Sequence, residues 1–173
     1  TATGYRALAF TTSGNYNTAT GAQSLFCNTT GCCNTAVGSN SILNNTTGNS
    51  NTGVGHRSLC ANTTGALNTA VGADSMRSNT SGHANTAVGY SSLRSNTSGR
   101  CNTALGYAAL DSSTTGCFNT STGFKSLYIN TTGSYNSASG YQSLYSNTTG
   151  QQNTASGSYA LKYNNATGNT AFG

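Results

Sequence analysis

The chain has no proline, no tryptophan, no glutamate and one methionine, and its acidic residues are Asp74 and Asp111 alone. Charged residues make up 5% of it, and apolar residues 34%. Each scarcity excludes something. Without proline, no backbone N–H is missing from a hydrogen-bonded ladder. Two aspartates and two isolated histidines, His56 and His83, do not make an acid pair or a triad, so no enzyme activity and no cofactor are expected. Aspartate is also too scarce for a calcium-binding nonapeptide β-roll. No apolar run reaches 18 residues, so no membrane span is expected in this segment, and no signal-peptide pattern opens it. The net charge of +5 is spread singly along the chain. A nucleic-acid surface clusters Lys and Arg among aromatics, so nucleic acid is not an expected partner. Low hydrophobicity without high charge, and with a strict period, also argues against disorder.

What the chain does have is one sentence repeated. Asparagine followed by a small hydroxyl residue opens a unit at Asn17, Asn34, Asn51, Asn68, Asn85, Asn102, Asn119, Asn136 and Asn153, each 17 residues after the last. The consensus is N-T-A-V-G-Y-x-S-L-x-x-N-T-T-G-x-x. A short fixed period means stacked identical units. The expected fold is therefore all-β, a parallel β-solenoid (β-roll) of ten 17-residue coils, each with a short strand and one helical or 3-10 turn. Residues 1–173 read as a single repeat array with an irregular repeat at 158–173. There Asn164-Asn165-Ala166-Thr167-Gly168 inserts one residue and then loses two, the expected place for a kink or junction. Neither end carries a polar capping pattern, so a slice of a longer solenoid is expected.

With positions counted from the opening Asn, position 5 is Gly in every unit and position 15 in nearly all. Two fixed glycines mark two corners. Position 9 is always apolar: Leu8, Leu25, Ile42, Leu59, Met76, Leu93, Leu110, Leu127, Leu144 and Leu161. This rank is the expected core, each buried side chain contributing about 1.5–3 kcal/mol. Position 3 is Ala, Ser or Gly and position 8 is Ala or Ser, which implies close backbone approach and a thin interior. Positions 1–5 read as a strand. The spacing of an aromatic at 6, an apolar residue at 9 and charges at 7 and 10 suits a helical or 3-10 turn. Identical Asn amides stacked one coil apart are expected to bond to one another. Ten coils make a rod about 45–50 Å long. Position 4 is apolar only from Val37 to Leu105, so its surroundings are expected to change along the rod.

The unit N-T-A-V-G-Y-x-S-L followed by N-T-T-G-x-x resembles repeats of fibre-like bacterial surface proteins and of phage or viral tail fibres. It is similar, more distantly, to the S-V-A-I-G-x-x-A-x-A-x-G-x-x head repeats of trimeric autotransporter adhesins, which are parallel β-rolls. Asn85-Thr86-Ala87-Val88-Gly89 matches the strand of that motif, and the present unit is three residues longer. The resemblance implies an extracellular or cell- or virion-surface fibre and a homo-oligomer.

Three residue classes suggest chemistry. Sequons N-x-[ST] recur at position 12, at Asn28, Asn45, Asn62, Asn79, Asn96, Asn130 and Asn147, and also at Asn44, Asn119 and Asn165. The position-12 amides and Asn165 are the expected N-glycan acceptors, if they stand on exposed turns. The non-matching opening Asn fits a buried ladder. The Thr rows at positions 2 and 13 suggest an ice-binding array. Among six cysteines, Cys27–Cys32 within a corner and Cys101–Cys117 on adjacent coils are the feasible intrachain disulfides. With no C-x-x-C pair and isolated histidines, no metal is expected.

The function expected is that of a structural subunit of an extracellular filament or surface fibre, self-assembling, glycosylated and adhesive. Its partners are copies of itself and covalent glycans. The alternative is an ice-binding β-solenoid.

Overall fold

A computed structural model describes all 173 residues. The chain winds into a single parallel β-solenoid. Its eleven strands are β1 (Ala2–Thr3), β2 (Thr18–Thr20), β3 (Thr35–Val37), β4 (Thr52–Val54), β5 (Thr69–Val71), β6 (Thr86–Val88), β7 (Thr103–Leu105), β8 (Thr120–Thr122), β9 (Ser137–Ser139), β10 (Thr154–Ser156) and β11 (Thr170–Phe172). They form one sheet in sequence order. The pairing is in register, as in Thr18↔Thr35, Ala19↔Ala36 and Thr20↔Val37. The register follows from side-chain identity. Position 3 points inward and is buried, while positions 2 and 4 face outward, so a one-residue slip would exchange the faces.

The interior is a thin column of five rows. Leu25, Ile42, Leu59, Met76, Leu93, Leu110, Leu127 and Leu144 are fully buried, and Leu8 and Leu161 pack against the cluster at its two ends. The small residues of positions 3 and 8 face them. The Asn residues of positions 1 and 12 complete the interior.

The turns are not helical. Positions 6–11 contain no helix, and the expected helical or 3-10 turn is replaced by left-handed backbone. Positions 7, 9 and 17 take positive φ with ordinary side chains, for example Arg57 at 53°, Leu59 at 50° and Leu67 at 59°. Such a conformation costs roughly 1–2 kcal/mol per residue. What offsets it is hydrogen bonding between coils. Gln23 N–H donates back to Tyr5 C=O (2.8 Å), while Leu25 N–H donates forward to Ser41 C=O (3.1 Å). Cys33 N–H at position 17 donates back to the Asn15 carbonyl (2.9 Å). A helix would have kept these N–H groups to itself. Only 19 of 118 backbone hydrogen bonds lie within the strands, so most of the bonding between coils runs through the turns.

The glycine corner is set by space as well as by φ. Gly55 has φ +129°, and a Cβ there would lie 2.6 Å from the Gly72 carbonyl oxygen and 2.7 Å from its carbon. No side chain fits, because the next coil occupies that space.

The irregular last repeat does not break the rod. β11 pairs with β10 as Thr154↔Thr170 and Ala155↔Ala171, a coil one residue short. In most other coils the N–H groups of positions 13, 14 and 15 converge on one carbonyl of the next coil, as Thr29, Thr30 and Gly31 do on Thr46 (3.1, 3.0 and 3.2 Å). In the final coil the Asn165 side-chain oxygen takes that place.

Candidate functional surfaces

Two rows of asparagine lie inside, and that decides which surfaces remain. At position 1, Asn17 Oδ1 accepts the Asn34 N–H (2.9 Å), and Asn34 Nδ2 donates to the Gly48 carbonyl (2.8 Å). This is the buried ladder expected from the sequence. At position 12, Asn45 Nδ2 donates to Asn28 Oδ1 (2.7 Å) and to the Gly48 carbonyl (2.9 Å). The same pattern continues through Asn62, Asn79 and Asn96.

The position-12 sequons are therefore not surface acceptors. Asn28, Asn45, Asn62, Asn79, Asn96, Asn130 and Asn147 are fully buried, and their Nδ2 atoms, where a glycan would attach, are committed to the interior. A sugar there has no path to solvent without opening the coil. Asn119 is likewise buried in the position-1 ladder. Only Asn44 and Asn165 are exposed. Nothing in the primary pattern separated the two outcomes, because Asn-Thr-Thr-Gly is equally good surface-turn and ladder chemistry.

All six cysteines are free thiols. The two suggested pairings are not formed. Cys27 Sγ faces Asn44 Oδ1 (3.9 Å), whereas Cys32 Sγ faces the Thr30 carbonyl (3.4 Å). Cys117 Sγ is turned to the Thr115 carbonyl (3.3 Å) and accepts the Arg100 N–H. Burial pushes the Cys60 thiol above its ordinary range, with Arg77 and Arg57 opposing, so it is a weaker nucleophile than a free cysteine. No group of three or more His, Cys, Asp or Glu side chains comes together. No helix is long and apolar enough to cross a membrane.

Three outward surfaces remain. The first is the sheet face, built from positions 2 and 4. Its Thr rows flank an apolar stripe of Val37, Val54, Val71, Val88 and Leu105, most of it exposed (39% for Val37).

The second is the turn face. Position 6 forms an aromatic ladder, Tyr90–Tyr107–Phe124–Tyr141, with centroids 5.2–5.3 Å apart and planes within 20°. Beside it run ion pairs between successive coils. Arg57 Nε lies 3.0 Å from Asp74 Oδ1, and Arg94 Nε lies 3.0 Å from Asp111 Oδ1. Burial raises the Asp111 carboxyl above its ordinary range, and Arg94 pulls it back down.

The third surface carries position 17, where Phe118 stacks on Tyr135 (5.0 Å) and Tyr16 and Leu67 stand in solvent. The repeat pattern alone did not announce the ring-on-ring stacking, whose signal is the recurrence of an aromatic at one position in consecutive repeats.

Comparison with protein-family models, curated proteins and solved structures gave no match to this chain.

Proposed function

We propose that this chain is a structural subunit of an extracellular surface fibre, a stiff rod that associates with copies of itself. The observation that carries the reading is the recurrence of the interior along the rod. Leu rank, Gly corners and two Asn ladders repeat with few exceptions, while most of the variation lies on the outside. Such an interior sets a length rather than a pocket, and its nearest-neighbour contacts allow extension by further coils. The apolar stripe Val37–Leu105 on a flat, uncharged sheet face suits lateral packing of one rod on another, sheet against sheet.

The test is electron microscopy of the purified chain at a resolution that shows side chains. Filaments or laterally paired rods, with Val54 and Val88 covered, support the reading. Dispersed single rods at all concentrations, with the stripe bare, overturn it.

A second reading rests on one specific feature of the same face. Thr18 and Thr20, and Thr120 and Thr122, present hydroxyl pairs outward from single strands, and a flat regular Thr array is an ice-binding surface. Shaping of growing ice crystals by the single rods, abolished by Thr120→Lys, supports it. Unshaped growth removes it.

A further inference from the structure

On the turn face, position 7 normally fills the space between row 6 and row 10 with Arg, Gln, Asn, Asp, Lys or Tyr. At Ser91 and Ala108, two consecutive coils carry short side chains instead. The result is a groove of about 200 Å³. Tyr90 and Tyr107 form one wall and Arg94 and Asp111 the other, and Lys125 and Tyr128 close the end.

The chemistry of the walls specifies a ligand. Tyr107 is stacked on both faces, by Tyr90 at 5.3 Å and Phe124 at 5.2 Å. It therefore offers its edge, and a flat aromatic ligand finds no platform on it. Asp111 is held by two charge-assisted contacts from Arg94, Nε to Oδ1 at 3.0 Å and the second guanidinium nitrogen to Oδ2 at 3.1 Å. The Asp111 side chain is only 4% exposed, so what it offers a hydroxyl donor is a narrow acceptor at the groove floor. Lys125 has no carboxylate partner. Its Nζ lies 5.1 Å from the Tyr128 ring centre and 5.4 Å from that of Phe124. Two cations against one carboxylate leave the groove positive. Its volume falls below the 300–1,000 Å³ typical of drug-sized sites, which limits the occupant to about one ring.

We propose that this groove binds a single carboxylated sugar ring, the unit of an acidic polysaccharide. The ligand carboxylate pairs with Lys125, its hydroxyls donate to Asp111, and its ring lies along the edges of Tyr90 and Tyr107. The proposal stands apart from filament formation, since every residue it uses belongs to one rod.

The test is a titration of the isotopically labelled chain with D-glucuronate, followed by backbone amide shifts, with D-glucose and inorganic sulfate as parallel probes. Glucuronate is expected to shift amides of residues 90–94, 107–111 and 125–128. Glucose is expected to bind at least about tenfold more weakly, a difference of about one decade in Kd. Lys125→Gln should weaken glucuronate by a similar factor. Ala108→Gln should abolish binding by filling the floor. Glutamine already stands at this position as Gln23 and Gln142 with the same positive φ, so the fold accepts it, and unchanged amide shifts elsewhere confirm that. Absence of groove shifts with glucuronate, equal affinity for glucose, equal shifts from sulfate alone, or unaltered binding by Ala108→Gln would each overturn the proposal.

Discussion

Asn165 Oδ1 accepts the Thr148 N–H at 2.9 Å, standing where every earlier coil places a threonine carbonyl. The same oxygen takes the N–H of Thr149 (2.9 Å) and of Gly150 (3.3 Å). A side chain thus completes a backbone pattern that the shortened repeat interrupts. Asn165→Ala is expected to remove the shared acceptor and open the last coil by about 1 kcal/mol. Amide hydrogen exchange of Thr148, Thr149 and Gly150 should quicken, while Thr131 and Thr132, one coil earlier, stay unchanged. Asn165→Asp keeps the acceptor and should preserve protection. Equal exchange in the alanine variant and the parent would contradict this role.

Ser113 interrupts the position-12 ladder. It stands between Asn96 and Asn130, and its hydroxyl and Asn96 Oδ1 are both buried without a hydrogen-bond partner. Asn130 Nδ2 bonds only to the Gly133 carbonyl (3.0 Å). Ser113→Asn should rejoin the two halves, giving Asn96 Oδ1 a donor and Asn130 Nδ2 an acceptor. A gain of about 1–3 kcal/mol in unfolding free energy is expected, because satisfying a buried polar group recovers that much. Loss of stability in urea denaturation would show that the row lacks room for the amide.

Ile42 and Gly53 are a matched pair. Gly53 is the only glycine at position 3, and Ile42 the only β-branched residue in the core rank. A Cβ on Gly53 would lie 2.7 Å from Ile42 Cγ1, so the isoleucine branch occupies the space that an alanine methyl fills in most other coils. Gly53→Ala alone should cost about 1–3 kcal/mol by overpacking. Combined with Ile42→Leu it should cost markedly less, with a coupling of about 1 kcal/mol or more in a double-mutant cycle. Simple additivity of the two changes would mean that they do not share the space.

Asp111 gives the rod a definite pH response. Its folded pKa is raised from the ordinary 3.8, chiefly by burial, so between that value and the raised one the folded chain holds more protons than the unfolded chain. Stability contributed by this group therefore falls as pH rises through the window and recovers on acidification. Arg94→Gln removes the opposing cation and should raise the pKa further, deepening the loss at neutral pH. Asp111→Asn should flatten that part of the profile. Melting temperatures measured from pH 3 to 7 decide it: a parent and an Asp111→Asn variant with superimposable profiles would contradict the assignment.

The parts of the fold legible beforehand were those that the period alone dictates. Leu93 and its rank, the corner at Gly55 and the inward Ala87 need only a repeat and a size limit. Asn85 as a buried ladder residue was legible because it opens the strand. The turn was misread, since Arg57 and Leu59 in left-handed backbone defy local preference and are held there by carbonyls 17 residues away. The position-12 row was misread for a related reason. Asn79 has the neighbours of a surface turn, and only the direction of its side chain, set by the stacking of whole coils, turns it inward. The groove at Ser91 and Ala108 was invisible because it is an absence in two adjacent repeats, flanked by residues that look like ordinary solvent-facing variation.

Both asparagine rows form the interior of one continuous rod. Hydrogen exchange of the side-chain amides, read by NMR on the labelled chain, is the measurement that bears on this. The Nδ2 protons of Asn45, Asn62 and Asn79 are expected to exchange only with global unfolding, orders of magnitude more slowly than those of the exposed Asn44. Exchange of the position-12 amides as fast as that of Asn44 would place them on the surface and contradict the structure and the function built on it.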